Sequence, residues 1–151
     1  MKIGKRRIAR INCAISLYLY DIGKLTPEEI LESYLPNLCG RDEDIKFDII
    51  IKDPQTKEFY KNLFLTAINK INEIDNIIQN ASKKWDFDGL YPIDKAILRM
   101  ATAEMIYIKT DVPVVIDEAV EISKMYSPVE DKGPRFINGV LDTIAKNSVI
   151  K

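Results

Sequence analysis

Lys5, Arg6, Arg7 and Arg10 crowd into six residues near the start of the chain, with Lys2 just ahead of them and Tyr18 just beyond. Side chains of these types suit one chemistry above others, the capture of a polyanion. Arginine presents a planar fork of donors that matches a phosphate and can lie flat on a base. Tyr18, one to three helical turns further on, offers a ring face to an unpaired base. No acidic residue occurs before Asp21, so the first twenty residues carry +5 and the remaining 131 carry −6, within a chain whose net charge is −1. A basic arm on an acidic body points to a polyanionic partner for the arm alone. Two plainer roles compete with this one: a solvated tail for the cations, and a core aromatic for Tyr18.

Other chemistries find little support. The 151 residues include no histidine, which removes the commonest metal ligand and general base. The two cysteines, Cys13 and Cys39, form no CxxC pair, and Cys13 reads as a small core residue. Glu104, on a mostly apolar stretch, is expected to make a buried structural hydrogen bond and not to act in catalysis. No enzymatic activity, metal or cofactor is expected. The basic opening followed by INCAISLYLY has the look of a secretory signal. Asn12 and Ser16 interrupt the apolar run, however, and no small-x-small site follows Tyr20. No apolar run reaches the roughly 18 residues of a membrane span, and the expected location is the cytoplasm.

The elements that must position these residues follow from apolar spacing. Ile8, Ile11, Ile15, Leu19 and Ile22 keep helical steps, predicting a first helix from about Ile3 to Ile22 with Arg6 and Arg10 projecting away from the core. Gly23 is placed to stop it in a left-handed conformation. Thr26-Pro27-Glu28-Glu29 forms a capping box opening a short helix with Ile30, Leu31, Tyr34 and Leu35, closed by Pro36. From Asn37 to Asp53 the β-branched run Ile49-Ile50-Ile51 favours a strand locally. A lone strand would have no partner, so an irregular or helical segment is expected. A helix is predicted over about 54–72 and another from Asp75, as N-cap, through Trp85. Residues 92–126 predict a buried helical hairpin, with Ile93, Ile97, Met100, Ala101, Met105 and Ile108 on one face and Val115, Ala119, Ile122 and Tyr126 on the next. Pro113 is read as the first residue of the second helix. After the loop SPVEDKGP, a last helix is expected over about Arg135 to Lys146, with Gly139 allowing close backbone approach. The expected class is all-α, seven helices in one domain.

Several stretches carry a family resemblance. ARINCAISLY, W-x4-L-x2-ID-x-AILRMA, DVP-x2-IDEAVEISK-x-Y and FINGVLD occur in that order over nearly the whole chain. Together they resemble the NusB family of transcription antitermination factors. The resemblance implies a seven-helix fold of two three-helix bundles around the long first helix, a single domain over 1–151 with sub-bundles of about 1–80 and 81–151. It implies binding to the single-stranded boxA element of ribosomal RNA transcripts as a heterodimer with NusE, a small-subunit ribosomal protein, within the RNA polymerase antitermination complex. It places RNA contacts on the arm (Lys5, Arg6, Arg7, Arg10), on Tyr18 and on Phe136 and Asp131, and a NusE contact on Asp94, whose carboxylate is expected to face outward. Three departures stand out. Ile15 replaces a frequent glutamine, Asp117 replaces the usual asparagine of INEA, and the loop before Phe136 is long. The alternative is a helical module that homodimerises without RNA. A methyltransferase role, known where such a domain precedes a catalytic one, is not expected in a chain this short.

Overall fold

The computed structural model describes residues 3–34, 49–83, 89–128 and 132–149. Seven helices form among them, and no strand. They are α1, Lys5–Asp21; α2, Pro27–Glu29 running on into a π-helical turn Ile30–Tyr34; α3, Pro54–Asn69; α4, Ile71–Ala81; α5, Pro92–Ala103 continued by a π-helical turn Glu104–Ile108; α6, Val112–Tyr126; and α7, Lys132–Val149. Residues 49–53 are irregular. The readings placed on Leu35, Pro36, 37–48, Trp85 and Asp131 lie outside the described residues.

α1 lies along α3 and α5, while α5, α6 and α7 pack on one another and α4 closes against α5 and α7. The core they share includes Ile11, Leu17, Tyr60, Phe64, Ile97, Leu98, Met100, Ile122 and Leu141. The two polar residues that break the apolar run of α1 tie it to its neighbours. Asn12 Nδ2 donates to the carbonyls of Ile8 and Ile49, both at 2.8 Å. The Ser16 hydroxyl meets the Tyr60 hydroxyl at 2.6 Å. Cys13 is buried beside them as a core thiol, and burial pushes its pKa up.

The helix ends show where local chemistry prevailed and where packing did. Thr26 and Glu29 form the expected capping box, Thr26 Oγ1 accepting from the Glu29 N–H. Asp53 caps α3 through the Thr56 N–H at 3.1 Å. Gly23 differs from expectation. The left-handed residue is Lys24, at φ 56°, and Gly23 is needed because a Cβ there would lie 2.7 Å from the Leu19 carbonyl oxygen. The predicted break near Asp75 falls at Lys70 instead. Asp75 sits in the second turn of α4 and receives Arg99 Nε and Nη2 at 2.8 and 2.9 Å, a forked ion pair to α5. α6 starts at Val112, one residue earlier than read, which leaves Pro113 in its first turn. Gly139 is not a point of close approach, since a Cβ there would meet nothing within 4 Å. That role belongs to Gly133, whose Cβ would run into the Ser127 hydroxyl at the turn between α6 and α7.

Candidate nucleic-acid interface

The basic arm forms the first turns of α1, and there the four cations have four different surroundings. Lys5 extends into solvent, its side chain 77% exposed, with Asp53 at 4.0 Å. Arg6 is exposed and lays its guanidinium over the Phe59 ring of α3, 4.1 Å from the centroid. A cation held over an aromatic face keeps its edge donors available while its plane is fixed. Arg7 donates from Nε to Glu118 Oε2 on α6 at 2.7 Å, and its side chain is one-third exposed.

Arg10 corrects the sequence reading. It was expected to project away from the core with the other cations, yet it is buried, 5% exposed. Its Nε and Nη2 donate to the two carboxylate oxygens of Glu104, both at 2.7 Å, and Nη1 reaches Glu118 at 3.3 Å. Burial alone disfavours the guanidinium charge; the carboxylates of Glu104 and Glu118 more than offset this, so the Arg10 pKa lies above its ordinary value. The geometry is the bidentate fork that a desolvated ion pair requires. Arg10 therefore ties α1 to Glu104 and Glu118 from within the fold. Glu104, fully buried, has the structural role expected of it. It opens the π-helical turn at the end of α5, where the widened backbone also gives Lys109 a left-handed conformation, φ 66°.

Tyr18 lies eleven residues beyond Arg7, about three turns or ~16 Å along the same face of α1. It is half-buried and packed against the core, which leaves part of its ring open to solvent. Phe136 is also half-buried. It stands in a cleft of about 610 Å³ between the end of α4 and the start of α7, beside Lys83, Lys132 and Arg135, all three exposed. No residue of α1 lines this cleft. Phe136 thus belongs to a second cationic and aromatic patch.

Asp94 is the other correction. Its carboxyl group does not face outward: the residue is 4% exposed. One oxygen has no partner among the described residues. Burial pushes its pKa up, opposed by a hydrogen bond with Ser127. The inward turn has a simple cause, because the start of α5 packs against the end of α6, where Ser127 meets Asp94 and also lies against Gly133. At this helix start the exposed side chain is that of Tyr91.

Sequence reasoning missed the roles of Glu118, Phe59 and the cleft cations. Glu118 and Phe59 are far from the arm in sequence, and only the fold brings them to it. The cleft cations carried a local signal, since Lys132 and Arg135 immediately precede Phe136.

Comparison with known proteins places the chain in a family. The model of the NusB family matches residues 7–146. The transcription antitermination protein NusB of Helicobacter hepaticus is 41% identical over 130 residues, covering 86% of this chain and 74% of that protein. Its counterpart in Treponema denticola is 37% identical over 149 residues, 98% of this chain and 100% of that one. A crystal structure of the antitermination factors NusB and NusE in complex with dsRNA superposes with a TM-score of 0.79 at 29% identity, over 95% of this chain and 97% of that one. T. maritima NusB gives 0.76 at 30% identity, over 97% and 93%. The matched span begins at Arg7 and runs through every helix that builds the two patches, and this chain belongs to the NusB family.

Proposed function

We propose that this protein is a transcription antitermination factor that binds the boxA element of ribosomal RNA transcripts together with the ribosomal protein NusE, as part of the RNA polymerase antitermination complex. The observation that carries the reading is the arm itself. Lys5, Arg6 and Arg7 hold their cationic groups at the surface of one helix start, two of them already fixed by Phe59 and Glu118. Tyr18 further along α1 and Phe136 with its three cations supply ring faces for splayed bases, the usual means of holding single-stranded RNA. Asp131 belongs to the same reading through the family pattern. One domain over 1–151, with sub-bundles near 1–80 and 81–151 sharing α1, would present both patches on a single body.

The NusE contact is assigned to the start of α5. Tyr91 would touch the partner there, and Asp94 would support the helix end from behind. Self-association over the RNA face is the competing state in the absence of RNA.

Tyr18→Ala tests the reading at the ring that packs partly against the core. Loss of one stacked base should cost about 1–3 kcal/mol of binding to a single-stranded boxA oligonucleotide. The accompanying loss of stability should be smaller, since the ring is only half-buried. Intact RNA affinity alongside a loss of several kcal/mol in denaturant melts would make Tyr18 a core residue and remove it from the interface.

A further inference from the structure

Glu118 lies within the IDEAVEISK stretch with no role assigned to it, yet its carboxylate touches two of the arm's arginines. Arg10 does not depend on it, being already held in a bidentate pair by Glu104 at 2.7 Å; its contact with Glu118 is the longer one, 3.3 Å. The short contact goes to Arg7, from Nε at 2.7 Å. Engaging Nε leaves both terminal nitrogens of Arg7 unbonded among the described residues, on a side chain one-third exposed. An end-on pair would have engaged one N–H of each terminal nitrogen; this contact through Nε leaves all four.

We propose that Glu118 is a positioning residue for RNA binding. It holds the Arg7 guanidinium by its inner edge and thereby presents the outer edge to an RNA phosphate. The inference rests on the reading of the arm as an RNA-binding surface. An arginine free in solvent must give up rotamer freedom to grip a phosphate, whereas one fixed in advance has less to lose. The evident objection is that a carboxylate beside the site repels phosphate. Here the Glu118 charge faces two guanidiniums, and its side chain is only 20% exposed. The repulsion that reaches solvent is therefore reduced, while the geometric hold on Arg7 is kept.

Glu118→Gln and Glu118→Ala separate the two effects, because both remove the same charge and only glutamine keeps an oxygen acceptor for Arg7 Nε. The measurement is the dissociation constant of each full-length variant for a single-stranded boxA RNA oligonucleotide, at a temperature where melts show all of them folded. The glutamine variant should bind at least as tightly as the unsubstituted protein. The alanine variant should bind about two- to tenfold more weakly than the glutamine variant, the effect of leaving one long side chain unordered. In an Arg7→Ala background the difference between glutamine and alanine should vanish. Equal affinities of the two variants would leave only an electrostatic role and overturn the proposal. So would a difference that persists without Arg7, which would assign the effect to Arg10 or the fold. If Arg7→Ala alone fails to weaken binding, the arm reading fails with it; if it weakens binding while the two Glu118 variants bind alike, only the positioning role is lost.

Discussion

Arg7 and Arg10 are the same residue type, three positions apart on one helix, and the fold gives them opposite assignments. Arg10 faces a fully buried carboxylate and Arg7 a partly exposed one. Arg10→Ala should cost roughly 3–5 kcal/mol, because Glu104 is left as an uncompensated buried charge. Arg7→Ala should cost no more than about 1 kcal/mol of stability, as for a pair open to solvent. It should instead reduce the salt dependence of RNA binding by about 0.7 in log–log slope, the share of one phosphate on a single strand. Denaturant melts beside RNA titrations check both; equal stability losses for the two variants would contradict the division of labour. The sequence shows that these arginines exist and share a helix. It does not show which one meets Glu104, because that residue is 94 positions away and their pairing depends on how α1 crosses α5.

The helices themselves were largely legible. Apolar spacing predicts the hairpin of α5 and α6, the capping box predicts the start of α2, and the count of seven helices agrees with the described residues. The misreadings share a cause: local propensity was used where packing decides. The glycine inside α7 suggests a close approach at Gly139, but open space lies above it. Its only local effect is then the glycine penalty inside a helix, so Gly139→Ala should stabilise the fold by about 0.5–1 kcal/mol. Denaturant midpoints would show this, and a destabilised variant would mean that a neighbour does approach. Asp94 was read as an exposed charge at the start of α5, and it is buried. Its pKa is raised in the fold by burial, so the native state holds this proton more tightly than the unfolded chain does. The resulting contribution to stability is present below the unfolded value of about 3.9 and is lost as pH rises through the raised folded value. Asp94→Asn should therefore be more stable than the unsubstituted protein at neutral pH, with the gap closing as pH falls below that window. Melting temperatures taken across pH test this, and a gap that does not change with pH would contradict it.

At the scale of the whole molecule, the cations that the sequence concentrates near its start fall on the first turns of α1, where Lys5, Arg6 and Arg7 keep their charged groups at the surface. The arm occupies one end of α1, and the second cationic patch lies in the cleft between α4 and α7. No helix among the described residues is long and apolar enough to cross a membrane. On the proposed reading, an RNA strand on such a surface would be held chiefly through phosphates, with the rings of Tyr18 and Phe136 as stacking faces for its bases. A basic partner such as NusE would approach the acidic body without competing for the arm, because complementary charge fixes orientation and speeds encounter. The most direct measurement is therefore the affinity for a boxA oligonucleotide and for a scrambled one of equal length, titrated over salt with and without NusE. The account predicts tighter binding to boxA, a log–log salt slope near −2 from about three phosphates at roughly −0.7 each, and a further gain in affinity when NusE is present. Equal affinity for both oligonucleotides, a flat salt dependence and no gain from NusE would contradict it.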